Sequence, residues 1–367
     1  MVTYCIPMPH NIVEATHQSS PIDLSKSYDP RWLKDKTIII TGGASGFGAA
    51  FSCHWASHGA HIIIADVNEK QGKAVAEDLR KVSPHTYFIH CDVTSWKSQV
   101  NMFREAARLS PHGYIDAVVA NAGISNSVPK FEDTGDLDQD DLPRPEFKVL
   151  DVNLIGVLYT TKLAIYWLQK NSILEKSQQL HLSPSEGRKN RDMHLLLIGS
   201  VASIAGLPIL EYTISKHAVL GLFRTMRATS FLQGIRVNIL MPYFIDTPIV
   251  PVTARLLLAG GGLGKEEDVV DAATRLMADK CIKGRSLVIG PKVYIDEDWQ
   301  LTSENSIDGN PVAVWEAFAH EHEQVDVFTA RFIDLLNRVE AMRGWIGWIK
   351  DITRALLYPF RKWIQIK

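Results

Sequence analysis

Residues 37–66 read "TIIITGGASGFGAAFSCHWASHGAHIIIAD": a β-branched run, a glycine-rich turn, a helix-forming stretch closed by Gly59, and a second β-branched run. A strand as apolar as Ile38–Ile40 has no polar face to give to water, so both of its faces must be covered. Two such strands joined by a helix run parallel, and the right-handed crossover rule winds them one way. The alternation continues through "TYFIHCD" (86–92), "IDAVVANAG" (115–123), "HLLLIGS" (194–200), "IRVNILMP" (235–242) and "SLVIG" (286–290). Helical stretches lie between them. Residues 69–82 carry Val75, Leu79 and Val82 on one face, residues 96–109 and 211–232 read as helices, and 145–170 reads as one long helix. The predicted fold class is α/β: a doubly wound, parallel, seven-stranded sheet with helices on both faces.

Composition narrows the function. The chain has 367 residues, 46% hydrophobic and 22% charged, which suits one large domain with extensions. A net charge of -2 gives no whole-molecule attraction to nucleic acid or acidic membranes. The cysteines (Cys5, Cys53, Cys91, Cys281) are far apart and the histidines show no H-E-x-x-H, so no metal site is expected and a reduced, cytoplasmic chain is. The N-terminus lacks a secretory pattern, and no run of about 18 apolar residues predicts a spanning helix.

The turn "TGGASGFG" (41–48) follows a strand and opens a helix. Gly42 can take backbone angles closed to other residues, Gly46 lets a phosphate approach the chain, and Gly48 lets the helix pack closely. The free N–H groups at that helix end suit a pyrophosphate. Asp66, ending the second strand, can accept from both hydroxyls of an adenosine ribose and would repel a 2′-phosphate. Val67 and Asn68 supply no cation, which favours NAD over NADP. Asp92 accepts from an adenine amino group or caps the next helix.

Read in order, "TGGASGFG", "CDV" (91–93), "NAG" (121–123), "VNLIG" (152–156), "IGSVAS" (198–203) and "YTISK" (212–216) resemble the short-chain dehydrogenase/reductase family. The whole resembles NAD-dependent hydroxyprostaglandin-type and fungal biosynthetic members. The resemblance covers residues 36–291. It implies a Rossmann dehydrogenase domain there, an N-terminal extension at 1–35 and a helical C-terminal extension at 292–367. It implies that Gly42, Ser45, Gly46, Phe47, Gly48, Asp66, Asp92, Val93, Asn121, Ala122, Gly123 and Thr247 bind the cofactor. Tyr212, Lys216, Ser200 and Asn153 are the implied catalytic residues, Tyr212 and Lys216 also touching the cofactor, and the implied assembly is a homo-dimer or homo-tetramer.

Tyr-x-x-x-Lys occurs three times, at Tyr166–Lys170, Tyr212–Lys216 and Tyr358–Lys362, and only the second pair follows a buried strand. A free phenol has a pKa of about 10, so ionising it near pH 7 needs roughly 4 kcal/mol of preferential phenolate stabilisation. Lys216, one helical turn on, can supply positive charge, and Ser200 can hydrogen-bond the substrate oxygen. Ser203 is its rival. Asn153 implies a relay water or is an exposed helical asparagine. The expected reaction is hydride transfer between a secondary alcohol and NAD. An NADH-dependent ketoreductase and a non-catalytic NAD-binding sensor are the alternatives.

Tyr243 stands where the family usually has glycine, and "PIVPVTARLLLAGGGLG" (248–264) reads as an apolar lid. Tyr243 narrows the nicotinamide end of the pocket or is an outward-facing loop aromatic; the lid points to a lipid-, steroid-, terpenoid- or polyketide-like substrate. The C-terminal segment mixes Trp345, Trp348 and Trp363 with Arg343, Lys350, Arg354, Arg361 and Lys362. That composition suits peripheral contact with a membrane; a helix packed over the pocket or against a second subunit is the alternative.

Overall fold

The computed structural model describes residues 18–125, 145–179, 191–245, 247, 262–295, 301–302, 310–319 and scattered positions between 331 and 353. The chain forms two compact units, His17–His320 and Met1–Thr16 with Glu321–Lys367.

The larger unit is the expected doubly wound sheet. Its strands are β1 (Thr37–Thr41), β2 (His61–Asp66), β3 (Tyr87–His90), β4 (Ala117–Ala120), β5 (His194–Ile198), β6 (Arg236–Pro242) and β7 (Ser286–Ile295). They pair in parallel in the order β3-β2-β1-β4-β5-β6-β7. The order reverses between β1 and β4, so a crevice opens at the carboxyl ends of those strands.

The β-branched runs supply both cores by simple alternation. Ile38, Ile40, Ile62, Ile64, Leu196 and Ile198 face one way. They meet Phe51 and Trp55 of helix α1 (Gly46–Ser57), Leu79 of α2 (Glu69–Arg80) and Leu276 of a helix at Glu266–Ala278. Ile39, Ile63, Leu195 and Leu197 face the other way. There they meet Phe103 of α3 (Trp96–Leu109), Leu168 of α4 (Val157–Gln179) and Phe223 of α5 (Leu210–Thr229). The Glu266–Ala278 helix is α6. Truncating a buried ring such as Trp55 costs about 3–5 kcal/mol.

The structure differs from expectation in three places. Helix α2 stops at Arg80, so Val82 is exposed rather than on its packed face. The long helix is not continuous: a turn at Lys148–Leu150 and a wide π-helical segment at Asp151–Gly156 precede α4. The seven parallel strands are as expected, but among the described residues the sheet gains two more. Gly290-Pro291 reads as a chain stop, but β7 absorbs it as an irregularity between Ile289 and Val293 and continues. Strands β8 (Leu301–Thr302) and β9 (Asn310–Glu316) then pair antiparallel with β7. Arg285 and Glu316, both buried, form an ion pair at 3.2 Å at its base.

Among the described residues, one helix, Lys148–Lys170, is long and apolar enough to cross a bilayer, although its sequence has no unbroken apolar run. Val157, Leu163, Ala164 and Leu168 commit its inner face to the core. In the smaller unit, Met342, Trp345, Ile349 and Ile352 occupy helical positions and are exposed.

Candidate active site

The glycine turn leaves β1 at the switch point. Gly42 has φ +65°, and a Cβ there would lie 2.8 Å from Cα of Ala122. Gly48 is tighter still, since its Cβ would stand 2.2 Å from the carbonyl oxygen of Gly42. Gly46 has φ +49°, and the space beside it is open. Ser45 is the α1 N-cap but its side chain accepts no backbone N–H, so the first amides of α1 face the crevice uncapped. Phe47 stacks on Phe51 at 6.2 Å, fixing the helix start. An open cradle, an uncapped helix end and a carboxylate on the neighbouring strand fit a dinucleotide pyrophosphate and its ribose.

That carboxylate is Asp66. Its Oδ2 accepts from Ala44 N at 3.0 Å and its Oδ1 from Asn68 N at 2.9 Å, so it also braces the turn. Asn68, not Asp66, caps α2. Asp92 accepts from the N–H and hydroxyl of Thr94 at 2.9 and 2.8 Å, while Ser95 caps α3. Val93 is buried against Gly156. Asn121 donates to the carbonyl oxygens of Thr41 and Gly42, locking the "NAG" turn with Ala122 and Gly123 to the glycine turn. Thr247 is buried near the bridge between Ile245 and Gly264. Residues 248–261, most of the proposed lid, lie outside the described residues, as does Tyr358.

Ser200, Tyr212 and Lys216 come together. Ser200 follows β5 and caps a short 3-10 turn, Val201–Ser203, accepting from Ala202 N at 3.1 Å. Its hydroxyl donates to the Pro242 carbonyl at 3.4 Å. Ser203 accepts from Ser200 N at 3.2 Å, so both hydroxyls take part in the cap. Burial raises the Tyr212 phenol above its ordinary value, and the neighbouring Ser200 hydroxyl pulls the other way. Lys216 is buried, donates to the Ile198 carbonyl at 2.9 Å and stands 5.6 Å from the Tyr212 ring centroid. Burial pushes its amine down to about 8.

Asn153 lies in the π-helical segment and is buried, not exposed. Its Oδ1 accepts from Ile124 N and its Nδ2 donates to Ile124 O, both at 2.8 Å, and Nδ2 also reaches Ser215 Oγ at 3.3 Å. Ser215 in turn donates to the Tyr212 carbonyl at 2.7 Å. The asparagine thus ties the loop after β4 to the tyrosine helix. π-Turns often mark functional sites because they re-aim a side chain.

Sequence reasoning missed Ser215 and Gln99. Gln99 is fully buried; its Nε2 donates to the carbonyls of Val93 (2.7 Å) and Gly156 (2.9 Å), and Oε1 accepts from Thr160 at 2.9 Å. A glutamine sharing a helical face with Met102, Phe103 and Ala106 was the available signal. The other described pair, Tyr166 and Lys170, is a surface contact, with Nζ 4.9 Å from the ring.

A half-buried phenol and a buried amine beside a dinucleotide cradle define an oxidoreductase of the alcohol–ketone class, using a nicotinamide dinucleotide. A family profile described as short chain dehydrogenase matches residues 36–174. The chain is 34% identical over 287 residues to 5'-hydroxyaverantin dehydrogenase of Dothistroma septosporum, covering 74% of this chain and 90% of that protein. It is 32% identical over 279 residues to NADP-dependent dehydrogenase M3 of Phoma sp., covering 73% and 78%. Among solved structures, 3-ketoacyl-(acyl-carrier-protein) reductase from Brucella melitensis complexed with NADH aligns with a TM-score of 0.57. The identity is 23%, and 70% of this chain and 97% of that one are covered. The chain belongs to the short-chain dehydrogenase family and is an alcohol dehydrogenase/reductase.

Proposed function

We propose that the protein oxidises a secondary alcohol on an apolar small molecule, with NAD as acceptor and Tyr212 as the proton carrier. The arrangement that carries this reading is the half-buried Tyr212 phenol with buried Ser200 as its neighbour and the buried Lys216 ammonium beside its ring. Ser200 holds the alcohol oxygen. Tyrosinate at Tyr212 takes the hydroxyl proton, and the carbinol C–H bond breaks as the C=O forms. Lys216 stabilises the tyrosinate and orients the nicotinamide ribose. Asn153 holds a relay water that returns the proton to solvent. The bound nicotinamide supplies the hydride acceptor. A screen of secondary alcohols followed by NADH absorbance tests this reading; Tyr212→Phe that retains turnover would overturn it.

Asp66 sets the preference for NAD by its charge at the ribose, in contrast with the relative named as NADP-dependent. Reduction of a ketone is the same path reversed, and the reductase among the solved structures favours keeping it as a second reading. Initial rates in both directions separate the two.

Two contacts accompany the chemistry. Trp96, Leu158 and Tyr166 expose an apolar face on α3 and α4, which we assign to pairing with a second copy. Leu158→Glu that leaves the mass in solution unchanged would refute it. Met342, Trp345, Ile349 and Ile352 recur at helical spacing with Lys350 exposed beside them, which favours peripheral membrane contact. Equal flotation with liposomes by the full chain and by one ending near Val325 would remove that assignment.

A further inference from the structure

The hairpin strand β9 brings a second aromatic side chain to the substrate end of the crevice. Pro242, whose carbonyl accepts from the Ser200 hydroxyl, is followed by Tyr243. Tyr243 N donates to Ile289 O at 2.7 Å, which seats the residue over the end of β7. The next β7 residue is Gly290. A Cβ there would lie 3.1 Å from the Trp315 ring and 3.9 Å from Cβ of Tyr243. Tyr243 and Trp315 therefore flank a position that has no side chain of its own.

Strand register fixes which face they share. Trp315 pairs with Val288, and Val288 packs with the core on the α5 side of the sheet; Val314, one residue earlier, packs with the opposite core. Helix α5 carries Tyr212 and Lys216. The tryptophan, the tyrosine and the catalytic pair thus lie on one side of the sheet, at the carboxyl ends of its strands. Tyr243 is 38% exposed, and Phe244 meets its ring edge-on at 4.9 Å. Trp315 is half-buried.

We infer that Tyr243 and Trp315, which meet over Gly290, form an aromatic platform that receives a planar ring system borne by the alcohol or ketone. The inference rests on the alcohol–ketone reading above and narrows its substrate from apolar to planar and aromatic. Flat faces offset-stack on one another, whereas a puckered saturated ring of equal carbon count touches the same platform at fewer atoms. Without a Gly290 side chain, the tryptophan can close on β7 and leave its other face to the ligand. Trp315 belongs to the strand added beyond the parallel sheet, so the specificity element is contributed by the extension.

The test is binding without turnover. Protein saturated with whichever oxidised nicotinamide dinucleotide it binds is titrated calorimetrically with 1-tetralone and with its saturated counterpart, 1-decalone. Ketone with oxidised cofactor cannot react, so the result is independent of the hydride-transfer assay, which judges the underlying reading separately. The expected result is about tenfold tighter binding of the aromatic ketone. Trp315→Leu should abolish that preference and Trp315→Phe should keep most of it. Equal affinities in the unaltered protein, binding of neither ketone, or a preference that survives Trp315→Leu would each overturn the inference. Retention by Trp315→Phe with loss in Trp315→Leu separates stacking from a collapsed hairpin.

Discussion

Lys216 donates to the Ile198 carbonyl at 2.9 Å while its Nζ stands 5.6 Å from the Tyr212 ring centroid. The strand end holds the amine where its charge can serve the phenol. Burial opposes that charge and brings the pKa from 10.5 to about 8, a cost of roughly 3 kcal/mol. One hydrogen bond to a charged group returns about 1.5–3 kcal/mol. The balance predicts that Lys216→Met abolishes turnover yet raises stability at pH 7, by about 1 kcal/mol. The sign follows from linkage: between about 8 and 10.5 the unfolded chain binds the extra proton, so native stability rises with pH through that window. The advantage of Lys216→Met should shrink there. Urea melts at pH 7 and at about pH 9.5 check it; a variant less stable at pH 7 contradicts it.

Gly46 and Gly48 stand two residues apart and predict opposite tolerances. Gly46→Ala meets open space and costs about 1–2 kcal/mol, from its left-handed backbone alone. Gly48→Ala drives a methyl into the Gly42 carbonyl at 2.2 Å, so the turn must open, at about 3 kcal/mol. Thermal melts should rank Gly48→Ala well below Gly46→Ala, whereas both should weaken dinucleotide binding, Gly48→Ala through a displaced helix and Gly46→Ala through a methyl in the open cradle. Equal melts would refute the geometry.

The strands and the tyrosine pair were legible because each is signalled by chemistry concentrated in a few residues. Ile38–Ile40 and Leu195–Leu197 cannot be solvent-facing, and Tyr212–Lys216 follows a buried strand. The hairpin was not legible. Gly290-Pro291 looks like a terminus, and "NPVAVWE" sits inside an acidic stretch, so neither end carried a strand signal. Nor could spacing show that Asn153 faces inward, since a π-turn shifts the register of the helix around it. Nor could spacing show that Ser200 and Ser203 cap the same short turn with both hydroxyls.

Gln99 offers a test of coupling within the site. It joins Val93, after β3, to Gly156, the last residue of the segment carrying Asn153. Gln99→Leu leaves the Val93 carbonyl without this donor and should cost about 2–3 kcal/mol. On our assignment of Val93 to the cofactor site, KM for the dinucleotide should rise more than kcat falls. Steady-state kinetics with varied dinucleotide measure both. An unchanged KM beside a lowered melting temperature would reduce Gln99 to a packing residue.

The amino ends of the central strands β1, β5 and β6 predict an acid limit. Asp192 receives Lys36 at 2.7 Å and Arg236 at 2.6 Å, all three nearly or fully buried. Both cations hold its carboxyl far below the ordinary range despite burial, and His194 beside it is held neutral by its own burial. Both groups bind fewer protons folded than unfolded. Stability is therefore lost as pH falls, beginning near the histidine's ordinary value of about 6.5 and again below the carboxylate's of about 3.9. Asp192→Asn strands two buried cations and should cost about 3–5 kcal/mol at pH 7. At about pH 2.5 the intact carboxylate has lost part of its own contribution, so the gap should narrow by about 1.5 kcal/mol. Denaturant melts of both proteins at the two pH values decide it; a constant gap would mean that Asp192 titrates alike in the folded and unfolded chains.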